Sequence, residues 1–194
     1  MKVLDASGGG TSASVLQGIQ WTVNDAKSKG RIGKTVANLS LGGGFSQASN
    51  DAVAAGTREG VFFGVAAGNS AINAKTSSPA SEPLACTVGA TDKTDAIASY
   101  SNYGSIVDIF APGSEIISTW IGGPSNTNTI SGTSMATPHV VGLASYLLAL
   151  EGSRAPGALC DRIKALSTKN KIKLGLLPTL SGSPNSLAYN GNGA

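Results

Sequence analysis

The sequence predicts an α/β fold with a mainly parallel sheet flanked by helices, on three observations. Apolar, strand-like segments alternate with helix-like segments through the first half of the chain, the order that builds parallel βαβ units. Gly makes up 26 of the 194 residues and only 13% are charged, against usual shares of about 7% and about 25%, which describes a compact, tightly turned chain rather than a disordered one. A length of 194 residues suffices for one sizeable core, and nothing in the composition divides it, so a single domain is expected.

The elements follow in order. After a short apolar start at Val3-Leu4, read as a strand, residues 11–29 form a helix with Val15, Ile19, Val23 and Ala26 on one face. Lys27 and Lys29 suit its negative end, and Gly30 stops it. Residues 35–41 read as a buried strand, 49–59 as a helix of small residues ended by Gly60, and 61–67 as a second apolar strand. Shorter strands are expected at 87–90, 107–110 and 116–120, punctuated by Gly and Pro. A helix over 134–150 tolerates Pro138 near its start, because first-turn N–H groups lack intrahelical partners anyway. Past Leu166 the chain turns rich in Ser, Asn, Gly and Pro; residues 1–165 are thus expected to form the core and 166–194 a surface-wrapping tail. There is no internal repeat.

Composition excludes several functions. The net charge of +3 comes from 14 Lys and Arg, dispersed apart from a loose cluster at 162–173, and aromatics are 5%, so no nucleic-acid partner is expected. No apolar run is long enough to span a bilayer, so no membrane partner is expected, and Met1-Lys2-Val3-Leu4-Asp5 lacks signal-peptide architecture. With one His, a His/Cys zinc cluster is ruled out. Cys86 and Cys160 form one disulfide or remain two buried thiols; bridged, they would add about 4 kcal/mol in the chain-entropy model.

One motif misleads. Gly8-Gly9-Gly10-Thr11-Ser12-Ala13 fits the Gly-rich dinucleotide fingerprint, opening a helix after an apolar segment. That site also needs an acidic residue at the end of the next strand to hold the ribose. The next strand ends in Ser40-Leu41-Gly42-Gly43-Gly44 instead, so nucleotide binding is set aside and no organic cofactor is expected.

Ser134 sits among small residues at the start of a helix, where free N–H groups and the helix dipole favour negative charge. Such a hydroxyl serves as a nucleophile, or Ser134 or Thr133 simply caps the helix, the usual work of Ser and Thr there. The residues alone leave both open. The octapeptide Gly132-Thr133-Ser134-Met135-Ala136-Thr137-Pro138-His139, however, resembles the nucleophile signature of the subtilisin-like serine proteases. Ser40-Leu41-Gly42-Gly43, Ala66-Ala67-Gly68-Asn69 and Ser78-Pro79-Ala80-Ser81-Glu82-Pro83 agree with that family in order and spacing. With Ser101-Asn102-Tyr103-Gly104 and Leu187-Ala188-Tyr189-Asn190 they resemble the proteinase K group, common as secreted fungal enzymes, over essentially the whole chain.

The resemblance implies a three-layer subtilisin-like fold and a serine endopeptidase acting on extended polypeptides, monomeric and secreted. It makes Ser134 the nucleophile and Asn69 a side-chain donor to the oxyanion, beside the Ser134 backbone N–H. Gly8, Gly9 and Gly10 become one wall of the substrate groove and Ser40, Leu41 and Gly42 the other, with Ala66, Ala67 and Gly68 lining an open, apolar specificity pocket of broad preference. Taken by themselves these glycines are turn residues, and for Gly43 and Gly44 the two alternatives stay open. Cys86 and Cys160 match a disulfide, which implies an oxidising compartment. The carbonyls of Pro83 and Ala85 and the carboxylate of Asp108 match a calcium site; otherwise Asp108 is a surface residue on a strand.

The family also requires a His base and an Asp to orient it, in the chain order Asp, His, Ser. No such motifs occur here, and His139, five residues along the helix from Ser134, sits about 140° around and about 7.5 Å further along, so a structural role is expected for it. The chain is therefore expected to be the C-terminal two-thirds of a peptidase domain, from a truncated product or a partial sequence, nearly inert alone and with unpaired sheet edges. The rival function is a non-catalytic remnant that binds or inhibits through the groove. An α/β-hydrolase esterase fails for want of a Gly-x-Ser-x-Gly elbow.

Overall fold

A computed structural model describes residues 2–192. Its elements are α1 (Ser12–Ser28), β1 (Thr35–Leu39), β2 (Gly43–Gly44), α2 (Gln47–Arg58), β3 (Val61–Ala66), β4 (Ser77–Ser78), β5 (Cys86–Thr91), β6 (Ile109–Pro112), β7 (Ile116–Thr119), β8 (Thr127–Ile130), α3 (Thr133–Glu151), α4 (Pro156–Leu166), β9 (Thr168–Lys169), α5 (Leu176–Leu180) and β10 (Ser186–Leu187). The main sheet has the order β1-β3-β5-β6-β10-β9, parallel except where β9 meets β10. β2 pairs with β4 and β7 with β8 as separate antiparallel ribbons.

β3 shows why the sheet has helices on both sides. Every residue of Val61–Ala66 is buried, so an alternating polar face is absent and the strand reads as one apolar run. Val61, Phe63 and Val65 pack with Ile19 and Val23 of α1 and Val53 of α2, while Phe62 points the other way, into Val140, Ala144 and Leu147 of α3 and Leu159 and Ile163 of α4. Just after these phenylalanines, a Cβ on Gly64 would collide with Val141, so glycine is what lets α3 lie close against β3. At the outer edge of the sheet β1 is only partly covered, and no strand pairs with its free side among the described residues.

Most expected elements are present with shifted ends. α1 begins with a capping box between Thr11 and Ser14, matching its expected start. β1 stops at Leu39 because Ser40 and Leu41 leave the ladder, and the strand expected at 116–120 is one arm of the β7–β8 ribbon. Val3 and Leu4 are not in a strand; the Ser14 hydroxyl donates to the Val3 carbonyl and Asp5 forms a turn instead. α4 went unforeseen, although Pro156 in its first turn and Leu159, Ile163 and Leu166 at helical spacing announce it. Beyond Leu166 the chain does more than cover the surface: β10 adds to β6, and Ile172 is buried.

Two links fasten α4 to the rest. Cys160 is bridged to Cys86 at the start of β5, across 74 residues, which resolves the choice between bridge and thiols. Glu151, at the end of α3, accepts from Arg154 Nη2 at 2.7 Å and from Arg162 Nη2 at 2.8 Å. The Arg162 hydrogen bond, ahead of the charges of both arginines, holds the Glu151 carboxyl below its ordinary value of 4.5.

Replacing both cysteines by Ala should lower the unfolding midpoint on the order of 10 °C, the equivalent of about 4 kcal/mol for a loop of this length, as read by thermal unfolding. Because the Glu151 pKa is depressed by folding, its contribution is present above 4.5 and is lost as pH falls through the folded value. Glu151→Gln should therefore lower the melting temperature at neutral pH, and the gap from the unsubstituted chain should close in strong acid.

Candidate active site

The end of β3 and the start of α3 meet at one latch. The Asn69 carbonyl oxygen Oδ1 accepts both the Thr133 N–H and the Thr133 hydroxyl, each at 2.8 Å. The Thr133 hydroxyl in turn accepts the Gly68 N–H at 3.1 Å, and Thr133 is 0% exposed. An exposed asparagine thus satisfies a first-turn N–H of α3 that has no intrahelical partner. The capping alternative falls: the N-cap is Gly132, with no side-chain cap hydrogen bond from Thr133 or Ser134.

With Oδ1 engaged twice, the donor end of the Asn69 amide is turned away from Thr133. A Cβ on Gly132 would lie 3.4 Å from Asn69 Nδ2 and 3.6 Å from the Ser134 nitrogen, so the two donors flank one small space that glycine leaves empty. The Ser134 N–H is itself a first-turn donor of α3. This pair can stabilise a negative oxygen.

Ser134 also faces the segment that follows β1. Its hydroxyl donates to the Ser40 carbonyl at 3.3 Å, while the Ser40 hydroxyl donates to the Ser134 carbonyl at 2.7 Å. His139 is exposed, and its Nδ1 pairs with the Met135 carbonyl at 2.8 Å within α3. No imidazole stands beside Ser134 among the described residues.

A cleft of about 530 Å³ opens at the latch, lined by Leu41, Gly42, Ala66, Ala67, Gly68, Asn69 and Ser134. A second hollow of about 490 Å³ shares Leu41 and Gly42 with it and adds Gly8, Gly9, Gly10 and Ser40. All the groove residues nominated from the sequence therefore lie along one trough that passes Ser134.

Three residues that build this trough were missed. Asn102, 1% exposed, donates to the Ala67 carbonyl at 2.8 Å and accepts the Ser70 and Ile72 N–H groups at 3.0 and 3.1 Å. Gly68 has φ +105°, and a Cβ there would collide with Asn102, so the turn that aims Asn69 needs both. Thr133 looked like a cap, not a clamp. Asp5 accepts the N–H groups of Ser7 and Gly9, which shapes the Gly8 to Gly10 wall, and the Ser7 hydroxyl bond first of all holds its carboxyl below the usual range. An Asp two residues before a Ser and four before a Gly is the only local signal.

The proposed calcium ligands lie elsewhere, around a cavity of about 220 Å³ lined by Pro83, Ala85, Asp108, Asp161 and Lys164. Asp108 Oδ2 accepts the Thr87 N–H at 2.9 Å and Oδ1 accepts the Lys164 ammonium at 3.2 Å. The sulfurs of Cys86 and Cys160 lie near Asp108 but are spent in their bridge. Each carboxylate oxygen is already engaged, one of them by the Lys164 ammonium, so a divalent ion at Asp108 would have to compete with a cation already present.

Residues 1–193 match the model of the Subtilase family. The chain belongs to the subtilases. Alkaline protease 1 of Aspergillus clavatus is 55% identical over 98% of this chain and 46% of its own length. The cuticle-degrading protease of Metarhizium anisopliae is 51% identical over 98% of this chain and 48% of its own. This subtilase chain thus spans about half the length of the curated relatives it matches. The crystal structure of a cold adapted subtilisin-like serine proteinase matches with a TM-score of 0.88 at 42% identity, covering 97% of this chain and 65% of that one. The fold is the three-layer subtilisin-like one, and at the level of the family these proteins are serine proteases.

Thr133→Val keeps the shape of the side chain but strands the Gly68 N–H and one lone pair of Asn69. It should destabilise the chain by about 1–3 kcal/mol in urea unfolding, and Thr133→Ser by clearly less, since the hydroxyl remains.

Proposed function

We propose that this subtilase chain supplies the nucleophile, the oxyanion hole and the substrate trough of a serine endopeptidase, its base and orienting Asp coming from outside these 194 residues. One observation carries the proposal: the Thr133 clamp on Asn69 leaves its Nδ2 beside the Ser134 N–H, at the mouth of the trough. A peptide laid as a strand between Gly8, Gly9 and Gly10 and Ser40, Leu41 and Gly42 would present a carbonyl to the Ser134 hydroxyl. Ser134 Oγ bonds to the carbonyl carbon while its proton passes to the imidazole base. The oxygen takes the negative charge between Asn69 Nδ2 and the Ser134 N–H. Collapse expels the amine, which leaves with the proton, and water releases the acyl group from Ser134. Ala66, Ala67 and Gly68 leave room for varied apolar side chains.

The free edge of β1 offers a docking line for the segment that would bring the base. The Cys86–Cys160 bridge supports an oxidising, extracellular setting. At Asp108 two cations compete as structural partners, calcium and Lys164, and the hydrogen bonds favour Lys164. The rival function, peptide binding without hydrolysis, rests on Ser134 donating to Ser40 rather than to a base.

The test is a protein in which a segment bearing the missing His and Asp is joined to this chain. A fluorophosphonate should label Ser134 once per folded molecule, and Ser134→Ala should abolish labelling. Asn69→Ala should cost about 10² to 10³ in kcat, the size known for loss of an oxyanion-hole asparagine in a subtilisin. The 194-residue chain alone should bind peptide without turnover. Absence of labelling in the folded, joined protein would leave the remnant function standing.

A further inference from the structure

The corner around Asp108 is built from three charges and none of them lines the trough that holds Ser134. Lys164 Nζ lies 3.2 Å from Asp108 Oδ1 and 2.9 Å from Asp161 Oδ1, one turn earlier on α4. The other oxygen of Asp108 is fixed by the Thr87 N–H at 2.9 Å. The same cavity is lined by Pro83 and Ala85, on the loop that leads into β5.

The covalent frame keeps these groups together. Cys160, four residues before Lys164 on α4, is bonded to Cys86, the neighbour of Thr87. The helix that carries the ammonium is thus tied to the strand that holds the second oxygen of Asp108. Burial pushes the Asp108 carboxyl above its ordinary value, against the Thr87 N–H and the Lys164 charge. Partial burial also opposes the Lys164 charge, but the Asp161 hydrogen bond and the Asp108 charge outweigh it and hold the ammonium above its ordinary value. Lys164 therefore stays a cation throughout the neutral range.

We propose that Lys164 is a built-in cation: its ammonium takes the place at Asp108 of a divalent metal ion and anchors the loop through Pro83 and Ala85 to α4, so that this corner is stable without metal. The charge count supports the substitution. Asp108 and Asp161 contribute −2 and Lys164 returns +1, leaving one net negative charge. A divalent ion added beside the ammonium meets repulsion and finds its carboxylate ligand already bonded. Without the ammonium, the carboxylates of Asp108 and Asp161 would stand unneutralised beside one small cavity, and carboxylate oxygens are ligands that hard cations take. Removing Lys164 should therefore turn a metal-independent corner into a calcium-responsive one.

Thermal unfolding of the full chain and of Lys164→Met, each in millimolar calcium chloride and in EDTA with magnesium as ionic control, decides it. The unsubstituted chain should melt at the same temperature in both. Lys164→Met should melt lower in EDTA and regain on the order of 5 °C in calcium, the shift given by ligand near a hundred times its dissociation constant for a chain of this length. Lys164→Arg, which keeps the charge, should stay indifferent to calcium. A calcium-dependent rise in the unsubstituted chain would overturn the proposal, as would a Lys164→Met protein that loses no stability and ignores calcium. Should Lys164→Met fail to fold in either medium, terbium luminescence on the unsubstituted chain decides instead: no bound terbium supports the ammonium, and one bound per chain refutes it.

Discussion

The organisation of the site hangs on the amide of Asn69 held by Thr133. Two donors on one carbonyl oxygen, 2.8 Å each, decide which end of the amide faces the trough. An amide free to flip would spend part of its time offering an acceptor where a donor is needed. The clamp also gives α3 its N-terminal partner from outside the helix, so helix start and loop are ordered by the same contact. Preorganisation of this kind spares reorganisation when negative charge develops at the oxygen of a bound carbonyl.

Everything else brings the two halves of that contact to one place. Gly64 lets α3 settle against β3, which fixes how far Thr133 stands from the end of the strand. Asn102 shapes the turn at Gly68 so that Asn69 points back at the helix. The reciprocal pair between Ser40 and Ser134 joins the end of β1 to the same helix turn. Each contact lies between residues far apart in sequence, and the hydrogen-bonded ones engage polar groups that would be costly to leave alone.

Away from the trough, the fold handles its few charges economically. With so little charge available, Glu151 is shared by two arginines and Lys164 by two aspartates, both on or next to α4. The disulfide joins the same helix to the sheet, pinning α4 to β5 at Cys160. α4 is thus secured at several points, and the sheet can carry β9 and β10 beyond it.

The α/β class and the family were legible in the residues alone, and so were the candidates that line the trough. A short apolar run such as Val61–Ala66, bounded by Gly60 and Gly68, reads as a strand covered on both faces, and an octapeptide as specific as that around Ser134 leaves little choice of family. The sequence did not determine α4 as an element, the end of β1 or the roles of Thr133, Asn102 and Lys164. Thr133 reads locally as a cap because its hydroxyl is near its own helix, yet its partner Asn69 is 64 residues away. Lys164 reads as one more residue of a dispersed basic cluster until folding sets it beside Asp108, 56 residues away. Period and motif are local and survive in one dimension; the direction of an amide or the partner of an ammonium depends on which distant backbone the packed helices bring near, and only the tertiary structure decides that.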